Sequence, residues 1–254
     1  MKPTPWAFSW EPLFLALALV AAAAYIRAAR TTRPSIARVL AFTFGLALVV
    51  AALCSPLETI ARRYLVLFHL LGNVMIADWA PPLLIMGLTP AMRAAIARRG
   101  GHALARLSRP WVALPAWLAV WYLVHLPVFY DYALRHTWAL NVEHALLIAA
   151  GLLFWWPLLG HASTALTTPG ALAYLGVAFV SSAFLGLAFI FSSTPFYDFY
   201  KHAPRLWGLS AAKDQNLGGI LMNGEQTAVF LTALAYFLVR LLNEEERAQV
   251  VRVG

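Results

Sequence analysis

Seven apolar stretches, separated by short polar or basic connections, leave this chain almost no way to bury its side chains except in a bilayer. They run approximately over 13–27, 36–52, 64–88, 110–128, 139–159, 171–191 and 217–242, and most meet the ~20 residues needed to cross the hydrocarbon core. Backbone groups in lipid must be satisfied within the segment itself, which selects helices. The expectation is an all-α polytopic membrane protein, seven transmembrane helices forming a single domain over 1–254. Composition agrees, with 61% of residues hydrophobic and 12% charged. Lys2 ahead of the first apolar run resembles the start of a signal peptide, but Glu11 and Pro12 intervene and no A-x-A site follows before a soluble domain, so a retained span is expected.

Seven spans place the termini on opposite sides, and basic residues choose the direction. Arg27, Arg30, Arg33, Arg38, Arg93, Arg98, Arg99, Arg106, Arg109, Arg240, Arg247 and Arg252 fall on one side. Lys2, Arg62, Arg63, Arg135, Lys201, Arg205 and Lys213 fall on the other. The richer side is expected in the cytoplasm, with the amino terminus outside and the carboxyl terminus inside. The net charge of +8 then has its partner in anionic lipid headgroups rather than nucleic acid. A single cysteine, Cys54, rules out an intramolecular disulfide or a CxxC redox pair and suits a core position.

The connection 89–109 has the spacing of an amphipathic surface helix, and 192–216, with Pro195, Phe196, Tyr197, Tyr200, Pro204 and Trp207, has the composition of an ordered cap. Trp6, Trp10, Trp138 and Trp207 on one side and Trp111, Trp155 and Trp156 on the other suggest aromatic belts. Pro81 and Pro82 should kink or break the third span, since neither can donate to the helix ladder.

Polar residues inside the spans carry the functional information. Counting ~1.5 Å of rise per residue puts His69, His125 and His144 at similar shallow depths near the outer face, on three different spans. His136 and His202 lie on the same side. A shallow, outward-facing pocket is expected if these helices adjoin. Imidazoles suit copper, zinc or haem iron, and the Met222 thioether would favour cuprous copper. Hydrogen bonding of each histidine to a neighbouring helix is the competing explanation. Asn73 stands at i+4 from His69, where it could orient the ring. Asp214 and Asn216 are placed to cap the start of the last span.

Deeper lie Asp78 and Glu225. A centre-of-helix Asp carries an insertion penalty of ~2.5–3.5 kcal/mol, so such groups mark either a hydrogen-bonded lock or a proton or ion path.

These residues resemble the integral membrane cytochrome c oxidase assembly factor family, the CtaG-type proteins associated with caa-type oxidases. The segments that carry the resemblance are His69 with Ala80-Pro81-Pro82-Leu83-Leu84 and Gly87; His125-Leu126-Pro127 with Tyr130-Asp131; Glu143-His144 with Gly151 and Phe154-Trp155-Trp156-Pro157-Leu158; Ser193-Thr194-Pro195 with Tyr197; and Asp214-Gln215 with Gly219 and Met222. The resemblance implies a seven-helix protein of the bacterial plasma membrane, needed for maturation of haem-copper oxidase and suspected of handling copper, with an oxidase subunit as partner. It marks His69, His125, His144 and Met222 as candidate copper ligands, with Asp131, Glu143, Asp214 and Gln215 as polar neighbours. Two positions depart from the family pattern: Asn73 stands where a second histidine is common, and Asn223-Gly224-Glu225-Gln226 follows Met222 where Trp and a later Pro are usual.

Three functions therefore stand open: a non-enzymatic assembly factor that passes copper to an apo-oxidase, a transporter coupled through Asp78 and Glu225, and a bis-histidine haem protein using His69 with His125 or His144. No internal repeat and no polar lane on the cytoplasmic half are evident, which weighs against transport. No nucleophile, base and orienting group stand at motif spacing for an enzyme.

Overall fold

The computed structural model describes residues 4–253, with side chains through residue 249. Lys2 and the side chain of Arg252, both used above to orient the chain, lie outside it. Eleven α-helical elements follow one another: α1 (Pro12–Thr32), α2 (Ile36–Leu53), α3 (Pro56–Arg63), α4 (Val66–Gly87), α5 (Pro90–Leu107), α6 (Pro110–Val124), α7 (Pro127–Arg135), α8 (Thr137–Leu159), α9 (Thr168–Phe191), α10 (Asp198–His202) and α11 (Ala211–Val253). Six of them, α1, α2, α4, α8, α9 and α11, are long and apolar enough to cross a membrane. A seventh span exists only if α6 and α7 are taken together, and they meet at a 68° bend.

Local chemistry explains these boundaries. α1, α3, α5, α6, α7 and α9 each carry proline in the first turn, where the missing N–H would be unsatisfied anyway. The side chains of Ser55, Thr89 and Thr167 accept hydrogen bonds from the first-turn amides of α3, α5 and α9. The α6–α7 bend has the same origin, because Pro127 drives Leu126 to extended backbone (φ −64°, ψ 130°) and ends α6 at Val124. The fourth apolar stretch, expected straight over 110–128, is thus a 15-residue helix, a sharp corner and an amphipathic helix that buries Tyr130, Ala133 and Leu134.

α4 is the hub, 72% buried, whereas α1 and α11 are each 17% buried over their most apolar windows. Its two prolines do not break it. The ladder widens into a π turn over Met75–Trp79 and restarts at Ala80, leaving Pro81 and Pro82 in a new first turn where they are tolerated. α8 lies against that turn at Gly151, where a Cβ would collide with the Ala77 carbonyl and the Pro81 ring.

Two apolar clusters stack along the bundle. Leu70, Val74, Phe189 and Met222 pack with Phe14, Tyr130, Tyr197 and Tyr200 at the end that carries the histidines. Trp117, Phe154, Trp155, Trp156, Leu175 and Phe230 fill the other half. Trp155 and Trp156 are therefore core residues, 4% and 6% exposed, and not a belt, whereas Trp6, Trp10, Trp111, Trp138 and Trp207 are exposed. α5 forms as expected, interrupted at Gly101 (φ 50°), and stays largely exposed apart from Met92. Cys54 is buried.

Candidate functional site

At the histidine end, α4 presents His69 and Asn73 on one face, and α8 presents Glu143 and His144. His69 Nε2 lies 3.2 Å from Glu143 Oε1, and Asn73 Nδ2 donates to the same oxygen at 3.3 Å. The spacing read from sequence thus orients Glu143, which in turn orients His69. The other ring nitrogen of His69, Nδ1, lies 3.2 Å from the Tyr200 hydroxyl, and that hydroxyl donates to the Ala61 carbonyl at 2.5 Å. The His144 ring stands 6.0 Å from that of His69, centroid to centroid, with Phe14 against its other side at 5.9 Å.

His125 occupies the α6–α7 corner, its Nδ1 2.6 Å from the Trp121 carbonyl. Tyr130 packs against both His69 and His125, at 4.6 Å and 6.0 Å, and stacks on Tyr197 at 3.7 Å. The three histidines therefore do not form one cluster: His69 and His144 adjoin, and His125 lies on the far side of Tyr130. Met222 is wholly buried in the apolar cluster. Among the described residues no three His, Cys, Asp or Glu side chains converge on a point that could hold a metal ion.

Burial is the main correction to the expected shallow pocket. His69, His125 and His144 are 2%, 4% and 1% exposed. They lie beneath the connection between α9 and α11, whose Tyr197 and Tyr200 are each 1% exposed. Buried polar atoms nearly always have partners. Here His144 Nδ1, His125 Nε2, Asn73 Oδ1 and the Tyr130 hydroxyl have none among the described residues. His136 and His202, by contrast, are exposed, with Nδ1 near the carbonyl four residues back on their own helices.

The remaining polar residues hold this arrangement together. α11 begins at Ala211, six residues before the expected 217, so Asp214 lies within its first turn. Its carboxylate does not cap that helix. It accepts from the amides of Val66 (2.9 Å) and Leu67 (3.0 Å), capping α4, the helix that carries His69. Asn216 likewise reaches outward, donating to the carbonyls of Phe189, Ile190 and Ser192 at the end of α9. Asp131 accepts from the amides of Asp198 (3.0 Å) and Phe199 (2.9 Å), fixing α10 and so Tyr200. Gln215 accepts from the Phe196 amide and donates to the Thr194 carbonyl, pinning the Ser193-Thr194-Pro195 segment.

The model of the cytochrome c oxidase caa3 assembly factor family matches residues 19–244, a range that includes all of these residues. The chain belongs to this family. Two uncharacterized proteins, from Mycobacterium bovis and Mycobacterium tuberculosis, are each 30% identical to this chain over 116 residues. That stretch covers 44% of the chain but only 18% of either relative. No solved structure matches the chain.

Around the buried histidines the chain carries a small charge network. Arg62 joins Glu11 at 2.6 Å and Glu58 at 3.8 Å, and donates to Thr137 Oγ1 at 3.0 Å. Thr59 donates to the Ala7 carbonyl, so the segment before α1 is strapped onto α3. Burial pushes the Glu58 carboxyl well above its ordinary value, a rise that the Arg62 charge only partly offsets. A surface hollow of about 510 Å³, lined by Arg62, Arg63, Arg135, Asp198 and His202 among others, opens at this end beside α10.

Sequence reasoning did not single out Tyr130 or Tyr200 as neighbours of the histidines; Tyr130 entered only among the residues of the family resemblance, and Tyr200 only through the aromatic character of its connection. It also missed a groove toward the other end of the bundle. Asp78 and Glu225, hydrogen-bonding neighbours, lie in its wall with Arg38, Arg93 and Arg240, and Trp79 Nε1 donates to Glu225 at 2.6 Å.

Proposed function

We propose that this assembly factor takes up one cuprous ion between His69 and His144 and passes it to an apo-oxidase subunit. The observation that carries the reading is His144 Nδ1, buried and without a partner beside the His69 ring 6.0 Å away. A metal held ~2.0 Å from a ring nitrogen stands roughly 3 Å from that ring's centroid, so two imidazoles on one ion span up to about 6 Å. Two nitrogen donors from two helices suit a cuprous cargo that must be given up again, better than a closed four-ligand cage does. Glu143 then sets the His69 ring through Nε2 in the manner of a carboxylate behind a ligating histidine, and Nδ1 exchanges its contact with the Tyr200 hydroxyl for the ion. His125, beyond Tyr130, serves as a way station, and Met222 forms part of the apolar floor.

Exchange requires the Tyr197–Tyr200 connection to lift, and the basic hollow beside α10 is the surface on which a partner would engage it. The basic bias of the connections supports placing this end outside the bacterial plasma membrane. The experiment is copper content and cuprous affinity of detergent-purified protein, wild type beside His69→Ala and His144→Ala, with an absorption spectrum to detect haem. Near-stoichiometric copper, lost in both variants, is expected. No copper under reducing conditions in a folded wild type would overturn the proposal, and a Soret band would replace it with the bis-histidine haem reading.

A further inference from the structure

The groove at the end opposite the histidines has no part in the proposed copper site, yet it encloses about 1070 Å³. Its walls come from α2, α4, α8 and α11. Phe44, Leu48, Leu83, Trp155, Ala228 and Val229 make most of the surface apolar. At one end stand Arg38, Arg93 and Arg240; at the other, Asp78 and Glu225.

The two first arginines are unusual in their company. Arg38 Nη1 donates to the carbonyls of Met86 and Leu88, and Arg93 donates through Nε to Leu88 and through Nη1 to Leu159 and Gly160. These bonds cap the ends of α4 and α8. Among the described residues they leave Nη2 of each guanidinium without an acceptor, and a guanidinium has five donors to place. Neither forms an ion pair with a carboxylate among the described residues. Burial, and then the neighbouring charge of Arg38, pull Arg93 below its ordinary pKa. Arg240 does have a counter-ion, Glu244 at 2.8 Å on its own helix.

Length fits a particular class of occupant. From Glu225 to Arg240 along α11 the rise is about 22 Å. One leaflet's share of a ~30 Å hydrocarbon core is about 15 Å. An acyl chain anchored at the arginines would therefore run along the apolar wall and stop short of the two carboxyls.

We infer that the groove is a binding site for an anionic glycerophospholipid, with its phosphate on Arg38 and Arg93 and one acyl chain along the α4–α11 wall. The lipid supplies the missing counter-ion and closes the lateral approach of water to Asp78 and Glu225. This site is independent of the copper reading.

Native mass spectrometry of the full chain, released from detergent and titrated with dioleoyl phosphatidylglycerol or dioleoyl phosphatidylcholine, tests it. Phosphatidylglycerol should bind more tightly, and Arg38→Gln and Arg93→Gln should each lower its affinity about fivefold while leaving phosphatidylcholine unchanged. Thr232 is exposed on α11, lines the groove and lies about 12 Å from the level of Arg240, so Thr232→Trp should fold normally and displace both lipids. Equal affinity for the two lipids would overturn the inference, as would phosphatidylglycerol binding that survives Thr232→Trp or is displaced by millimolar inorganic phosphate alone.

Discussion

Replacing Asp214 by alanine should loosen a helix other than its own. The carboxylate is fully buried and takes both of its hydrogen bonds from α4, at the amides of Val66 and Leu67. Those are first-turn donors with no partner inside α4. Alanine leaves two buried N–H groups unsatisfied at ~1–3 kcal/mol each, against a helix-cap loss of ~1 kcal/mol measured at more exposed sites. About 2–3 kcal/mol of local opening energy is a fair expectation, which is roughly a 30- to 150-fold faster amide exchange at the start of α4. Hydrogen–deuterium exchange with peptide-level readout follows it directly. Peptides covering 65–70 should lose protection, and those covering the first turn of α11 should keep theirs. His69 sits one turn into α4, so cuprous affinity should fall in the same variant. Unchanged exchange at 65–70, or loss confined to 211–216, would refute the cross-helix cap and return Asp214 to an ordinary cap of its own helix.

Two further outcomes follow from the packing and the charges. Burial raises the Glu58 carboxyl above its ordinary value of 4.5, so the fold favours its protonated form. The stability associated with that proton is fully present below pH 4.5 and is lost as pH rises through the raised value. Glu58→Gln should therefore match wild type in thermal midpoint near pH 4.5 and exceed it progressively above; a constant difference across pH would contradict the assignment. Gly151→Ala places a methyl against the Ala77 carbonyl in the π turn, and overpacking of this kind costs about 1–3 kcal/mol. A lower midpoint in differential scanning fluorimetry checks it, and an unchanged one would mean that α8 stands farther from α4 than described.

Much of the bundle was legible because membrane physics leaves few choices. Apolar runs longer than a leaflet must be helices, and proline and Ser/Thr positions mark their starts. The histidine depths, counted from span parity, did bring His69 and His144 together. Burial was not legible, because depth along a membrane normal says nothing about what lies above. The cap that covers the histidines comes from residues 192–210, and its contacts with them span more than a hundred residues of sequence, as between Tyr200 and His69. The same holds for Asp214 and Asp131. An acidic residue near a helix start is ordinarily its cap, and nothing local reveals that each serves another helix instead. The α6–α7 corner was written plainly in His125-Leu126-Pro127, but an apolar run was followed through it. Trp155 and Trp156 show the limit of composition, since paired tryptophans near a span end serve a core as readily as an interface.

The corner at His125 also shapes the surroundings of the protein. α6 has 15 residues, a rise of about 22 Å, against a hydrocarbon core of ~30 Å. A span that short meets the lipid with several ångströms of mismatch, and a bilayer relieves mismatch by thinning. Where α6 alone crosses, the bilayer is expected to be thinner on the flank that carries His125 than along α9 and α11. A dimple lowers the energy of any neighbour that is equally short on its facing side, so thinning of this kind sorts membrane neighbours before they touch.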